Sequence, residues 1–276
     1  MSLTFHKMHG LGNDFVLLDL REQDIALDAD FARHLADRHT GVGCDQILIL
    51  RKSNDLSHLA SFEFWNADGT RAEQCGNGVR CMGLYLYRYS DAPARSFSLR
   101  GPAGTVHIEC LENGLVQVDM GEPEFAAAKV PILLEKVAGW YPLKIDGIDY
   151  RLGAASMGNP HALLLVDDIE KADVERLGSI IGSHPAFPRG CNVGFAEIVN
   201  RDRIKLRVYE RGGIGETAAC GSGSCAAVSI LRNHDMVNKK VHVTQRGGSL
   251  IIDWIERGNP VIMTGPATHV FTGKIS

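Results

Sequence analysis

Cys75-Gly76-Asn77-Gly78 and Cys220-Gly221-Ser222-Gly223 repeat one short form, a cysteine followed by glycines, 145 positions apart, each ahead of a helix-like segment. The glycines permit unusual backbone angles and keep side chains away from a ligand. A helix that begins there offers unpaired N–H groups and the positive end of its dipole, which bind a carboxylate without Lys or Arg. The same field favours thiolate over thiol in the neighbouring cysteine. A thiolate and a thiol together suit inversion of a carbon stereocentre. One removes a proton from one face, the other delivers a proton to the opposite face, and the reverse reaction starts from the opposite protonation state. An amino-acid α-hydrogen is weakly acidic, so charge developing on the carboxylate must meet preorganised N–H donors. No lysine motif suggests a Schiff base and no phosphate cradle suggests pyridoxal phosphate, so no cofactor is expected.

The other five cysteines, Cys44, Cys81, Cys110, Cys191 and Cys225, read as small buried hydrophobes. Seven is an odd number, and 276 residues is far from a small secreted scaffold, so a disulfide framework is not expected. No Cys-x-x-Cys pair is present, which removes the usual signature of structural zinc or dithiol redox chemistry; no metal is expected. The net charge is −4 and basic residues are scattered, which argues against a nucleic-acid or anionic membrane partner. Neither a signal core nor a bilayer-length apolar stretch is seen, and a cytoplasmic protein is the expectation.

The elements that must position these cysteines follow a plan repeated in each half. Strands are expected at Phe15–Leu18, Ile47–Leu50 and Phe62–Trp65, with a helix over Asp30–Asp37. The segment from Val79 to Tyr89 reads as a helix, and Val106–Cys110 with Leu115–Met120 as a hairpin about Glu112-Asn113-Gly114. In the second half a hairpin is expected around Asp146-Gly147, followed by a strand at Ala162–Val166 and a helix over Ile169–Ile181. Strands at Val193–Val199 and Ile204–Tyr209 precede a helix from Ser224 to Arg232, and three strands close the chain. The repeated order implies an internal duplication, with a boundary near Gly121-Glu122-Pro123-Glu124.

A series of motif blocks runs along the chain. They are Lys7-Met8-His9-Gly10-Leu11-Gly12-Asn13-Asp14-Phe15, Gly41-Val42-Gly43-Cys44-Asp45-Gln46, and Phe64-Trp65-Asn66-Ala67-Asp68-Gly69 leading to Gln74-Cys75-Gly76-Asn77-Gly78-Val79-Arg80-Cys81. Gly158-Asn159-Pro160-His161, Cys191-Asn192-Val193, and Glu210-Arg211-Gly212 leading to Gly215-Glu216-Thr217-Ala218-Ala219-Cys220-Gly221-Ser222-Gly223 complete the set. In this order the blocks resemble the diaminopimelate epimerase family.

The resemblance implies interconversion of LL- and meso-diaminopimelate without metal or pyridoxal phosphate, in lysine and peptidoglycan precursor synthesis, by a homodimer. It implies an α/β (α+β) fold of two pseudo-symmetric domains, each a barrel-like, mostly antiparallel sheet around a central helix, with the active site in the interdomain cleft. The domains would be residues 1–119 plus 265–276, and 120–264. Cys75 and Cys220 would be the bases for the two substrate hands. Gly76, Asn77, Gly221 and Ser222 would hold the reacting carboxylate. Asn13, Gln46, Asn66, Asn159, Asn192 and Arg211 would bind the polar ends of the substrate, and His161 and Glu210 would tune the cysteines and hold the ammonium group. Asn offers both donor and acceptor, and Arg clamps a carboxylate. In one place the chain departs from the pattern: the stretch from Glu210 to Glu216 is one residue longer, which is expected to bulge the loop and bears on the placement of Glu210 and Arg211 but not on that of Cys220. A proline-type racemase would share the cysteine pair; a phenazine-type isomerase would lack it. A thiol redox or metal-binding protein, or a silent binding protein, would be the readings from other classes.

Overall fold

A computed structural model describes residues 2–275 except 24, 73, 74 and 91, so Gln74 of the first cysteine motif lies outside the described residues. The chain forms two compact units, Met1–Asp119 with Thr264–Ser276, and Met120–Met263. The second junction falls one residue before the expected boundary.

The first unit contains β1 (Leu3–Gly10), β2 (Asn13–Asp19), α1 (Ala29–Ala36), β3 (Gln46–Arg51), β4 (Ala60–Asn66), β5 (Arg71–Ala72), α2 (Gly76–Tyr89), β6 (Ser96–Gly101), β7 (Gly104–Cys110) and β8 (Val116–Asp119). The second contains β9 (Tyr141–Ile145), β10 (Ile148–Ser156), β11 (Pro160–Leu165), α3 (Val174–Gly182), β12 (Asn192–Asn200), β13 (Arg203–Glu210), β14 (Gly215–Thr217), α4 (Gly221–Asn233), β15 (Lys240–Gln245) and β16 (Gly248–Asp253). Strand β17 (Ile262–Gly265) follows, and β18 (Thr268–Ile275) belongs to the first unit.

Strand pairing repeats from unit to unit. β1–β2 and β10–β11 are antiparallel; β2–β3 and β11–β12 are parallel. β3–β4 and β12–β13 are antiparallel, as are β4–β5 and β13–β14. β4–β6 and β13–β15 are parallel, and β6–β7 and β15–β16 antiparallel. The edge of β1 pairs with β18, and the corresponding edge of β10 pairs with β9.

In the first unit α1 packs outside the sheet, against Val16, Leu18, Ile47 and Ile49. The alternate residues Phe15, Leu17, Leu48 and Leu50 are equally buried on the other face, where α2 contacts β1, β2, β7, β8 and β18. Strands covered on both faces lose polar alternation, hence the unbroken apolar runs of β2 and β3. In the second unit α3 packs on the outer face, its Leu177 and Ile181 among the core residues of β11 and β12, and α4 contacts β10, β11, β12 and β16.

Both cysteine helices start earlier than expected. Gly76, Asn77 and Gly78 are the first turn of α2, and Gly221, Ser222 and Gly223 the first turn of α4. None of these glycines has a positive φ. Low helix propensity suggested a loop, but the first turn has no N–H to bond four residues back, so glycine costs less there than in a helix interior. The glycines serve close packing instead. A Cβ on Gly78 would stand 2.9 Å from Leu48 Cδ2 and 3.0 Å from Phe64 Cε1, and one on Gly223 would stand 3.0 Å from Val208 Cγ2. Gly78→Ala is therefore expected to destabilise the protein by about 1–3 kcal/mol, read as a lowered denaturant midpoint.

The helix expected over Ile169–Ile181 is two elements. A 3-10 turn, Ile169–Lys171, ends at Ala172 in an extended conformation (ψ 128°) before α3 begins. The apolar residues here fall at Ile169, Ala172 and Val174, and the two-residue step from Ala172 to Val174 breaks the helical period that Val174, Leu177 and Ile181 keep.

Candidate active site

Cys75 and Cys220 are each the N-cap of the buried helix of their unit. Cys75 (φ −151°, ψ 100°) and Cys220 (φ −121°, ψ 112°) have the extended backbone an N-cap requires. Each sulfur accepts the third-residue N–H, Gly78 N at 3.4 Å and Gly223 N at 3.4 Å. Sulfur thus takes the place of the usual Ser or Asp oxygen, at the positive end of the dipole, where negative charge is favoured. Four other cysteines are held as thiols by burial, which pushes Cys44 and Cys191 up to about 12, Cys110 up to about 11, and Cys81 also upward.

In the first unit the sheet registers place Phe15 beside Gln46 and Gln46 beside Asn66, at the edge where α2 begins. Asn13 Oδ1 lies 3.8 Å from Cys75 Sγ and 3.3 Å from Asn77 Nδ2. Gln46 donates to Asn66 Oδ1 (2.8 Å), and Asn66 donates to Thr70 Oγ1 (3.0 Å). The structure thus brings Asn13, Cys75 and Asn77 together and pairs Gln46 with Asn66.

In the second unit His161 pairs in register with Asn192, and Val193 with Tyr209, so Asn192 stands opposite Glu210. By register, Asn159, His161, Asn192, Glu210, Cys220 and Ser222 occupy the places of Asn13, Phe15, Gln46, Asn66, Cys75 and Asn77. Asn159 Nδ2 is 3.4 Å from Ser222 Oγ, which lies 3.6 Å from Cys220 Sγ. His161 Nε2 is 3.0 Å from Asn159 Oδ1, while its Nδ1 is buried with no hydrogen-bond partner among the described residues. Burial, then the nearby Arg211 charge, lowers His161 to about 3, so its imidazole is neutral near pH 7. Thr217 donates to Glu210 Oε1 at 2.8 Å. Arg211 N donates to Asn192 Oδ1 at 2.9 Å, and its guanidinium to Arg189 O at 3.2 Å.

The extra residue after Glu210 is taken up at the tip of the β13–β14 hairpin. Glu210 pairs with Gly215, where the equivalent Asn66 bonds to Thr70. Gly212, Gly213 and Gly215 supply the positive φ angles of 79°, 81° and 86° that the longer loop uses. Glu210 stays in the ladder.

Sequence reasoning passed over the residues that anchor these side chains. Asp45 Oδ2 accepts from Asn13 Nδ2 at 2.9 Å. Arg38 bridges Asp45 and Asp14 at 2.7 Å each, and Lys7 holds Asp14 at 2.5 Å and also donates to Gly43 O. Burial pushes the Asp14 carboxyl up, but the Arg38 and Lys7 bonds outweigh it and hold it well below the usual range. Arg80, fully buried, donates to Asn77 Oδ1 at 2.8 Å and to Pro266 O at 3.1 Å. Gln245 accepts from Cys220 N at 2.8 Å and donates to Ser224 Oγ at 2.9 Å. Lys7, Asp14, Asp45 and Arg80 stood within the quoted motif blocks; nothing local marked Gln245.

Among the described residues, no helix is long and apolar enough to cross a membrane. The solved structure of a hydroxyproline epimerase from Agrobacterium vitis, with bound trans-4-hydroxy-L-proline, aligns over 99% of this chain and 92% of its own, at TM-score 0.71 and 15% identity. A phenazine biosynthesis protein from Bacillus anthracis aligns over 100% and 99%, at TM-score 0.68 and 14% identity. At those identities the likeness is one of fold. In sequence, the diaminopimelate epimerase of Thioalkalivibrio sulfidiphilus is 46% identical over 100% of this chain and 99% of its own. That of Xanthomonas campestris is 44% identical over 99% and 96%. The diaminopimelate epimerase family model matches residues 5–126 and 153–270. With both cysteine helices inside the matched segments and identity sustained from end to end, the chain belongs to the diaminopimelate epimerase family.

Proposed function

We propose that this protein interconverts LL- and meso-2,6-diaminopimelate by a two-base reaction in which Cys75 and Cys220 exchange the roles of thiolate base and thiol acid. The observation that carries the reading is the repeated cap, a cysteine sulfur seated on the first turn of a buried helix in each unit. In the forward direction one thiolate takes the α-proton, and the C–H electron pair moves into the carboxylate as an enolate-like dianion. The N–H groups of Gly76 and Asn77, or of Gly221 and Ser222, stabilise that charge. The other thiol delivers its proton to the opposite face, leaving the two sulfurs with their protonation exchanged.

Asn13, Gln46, Asn66, Asn159 and Asn192 bind the ammonium and carboxylate ends of the substrate, and Arg211 clamps a carboxylate. Glu210 accepts from the ammonium group next to the reacting carbon, and the neutral His161 orients Asn159. The repeated strand pairing supports reading the two units as duplicated domains. The place of this activity is lysine and peptidoglycan precursor synthesis, and we propose a homodimer.

The test is incubation with LL-diaminopimelate in deuterated water without added cofactor. Deuterium is expected at the α-carbon of both LL and meso products by mass spectrometry; no exchange would overturn the reading.

A further inference from the structure

Two amides in the first unit are oriented by ions of opposite sign. A carboxylate only accepts hydrogen bonds and a guanidinium only donates them. Asp45 therefore requires Nδ2 of Asn13 (2.9 Å), and Arg80 requires Oδ1 of Asn77 (2.8 Å). The remaining ends, Asn77 Nδ2 and Asn13 Oδ1, then meet as donor and acceptor at 3.3 Å. The chain Arg80–Asn77–Asn13–Asp45 thus runs in one direction, and it presents Asn13 Oδ1 as an acceptor to Cys75, 3.8 Å from the sulfur. Such an acceptor bonds S–H and repels a thiolate.

The second unit is arranged with the opposite sense. Asn159, in the place of Asn13, has its Oδ1 on His161 Nε2 and its Nδ2 toward Ser222 Oγ. With that hydroxyl accepting from the amide, its own hydrogen is left for Cys220 Sγ, 3.6 Å away. A donor there favours thiolate.

We infer that Asp45 and Arg80 are positioning residues that turn the Asn13 and Asn77 amides so that Cys75 rests as the thiol, leaving Cys220 as the resting thiolate. This rests on the two-base reading above and adds to it a polarity: the free enzyme is poised for the substrate hand whose proton Cys220 removes. Among the described residues, the charged and titratable groups around the Cys75 edge include Arg80 on α2, Lys7 and His9 on β1, Asp14 on β2, Arg38 after α1, and Asp45 before β3. Lys7, Asp14, Arg38 and Asp45 are ion-paired with one another.

The test is the pH profile of iodoacetamide alkylation at each cysteine, read by peptide mapping, because only the thiolate reacts. In the unaltered protein Cys220 is expected to have the lower midpoint. Asp45→Ala combined with Arg80→Met removes both ions that orient the amide pair, so Asn13 and Asn77 can turn over together, keeping their mutual hydrogen bond and bringing NH2 toward Cys75. The Cys75 midpoint is then expected to fall by about one pH unit, about tenfold in alkylation rate below the midpoint. The Cys220 midpoint and a cooperative melting transition are the controls for folding. Adding Asn13→Asp, a carboxylate that accepts whichever way it is turned, is expected to return the Cys75 midpoint to the starting value or above. An unmoved Cys75 midpoint in Asp45→Ala with Arg80→Met, a triple variant that fails to restore it, or Cys75 titrating below Cys220 in the unaltered protein would overturn the inference. Alkylation does not depend on turnover, so these results stand apart from any failure of the epimerase reading itself.

Discussion

Cys75→Ala and Cys220→Ala are each expected to lower epimerisation by roughly a thousandfold or more, within the range that a positioned acid or base contributes. Inversion needs a proton off one face and a proton onto the other, so neither sulfur substitutes for its partner. The surviving thiol retains a lesser ability. In deuterated water it can remove the α-proton of one substrate hand, exchange it with solvent, and return deuterium to the same face. Each variant is therefore expected to label one epimer only, without converting it, and the two variants to label opposite epimers. Near-normal conversion by either would rule out the two-base mechanism. Because the sulfur also caps a helix, alanine removes the acceptor of Gly78 N or Gly223 N, at a cost of about 0.5–2 kcal/mol. Cys→Ser keeps an acceptor at that position with a far weaker acid. It is expected to preserve the melting temperature while losing the activity, which separates the cap from the chemistry.

The largest stability effect is expected at Glu216. Its carboxylate meets Arg207 through two bonds of 2.7 Å, with the side chains only 8% and 10% exposed, and Arg246 reaches it at 3.2 Å. Arg207 continues to the carbonyls of Ile169 and Ala172 at 2.9 and 3.3 Å, fastening the turn before α3 to the sheet. Glu216→Ala leaves a nearly dry guanidinium without its main counter-charge, which costs about 3–5 kcal/mol and should appear as a large fall in the urea midpoint. Removing both partners, as Arg207→Met with Glu216→Leu, should recover much of that loss, since a buried ion pair exceeds an apolar pair little or not at all. If the double variant were as unstable as Glu216→Ala, stranded charge would not be the cause.

How much was legible follows the kind of signal. The buried runs of β2, β3 and β12 announced themselves because both faces are covered. β1 did not, although Leu3 and Phe5 alternate, because the register shifts between Lys7 and Met8 and the pattern loses its period. β18 shows no buried residue at all, so it carries no hydrophobic alternation to read. The candidate polar residues were legible as motif blocks, while their orientation was not. That Asn13 presents oxygen rather than nitrogen to Cys75 depends on Asp45, 32 positions away, and sequence spacing holds no record of a side-chain amide's direction.

The place of β18 has a consequence for how the chain is made. In the second unit, the strand beside β10 is β9, its neighbour in sequence. In the first unit, the same place beside β1 is filled by β18, synthesised more than 250 residues later. On a ribosome, the second unit therefore has every strand of its repeated ladder before the first can close its own. For most of synthesis β1 presents a bare row of N–H and C=O groups, the kind of edge to which other strands add. The half of the duplication that is translated first is the half that finishes last.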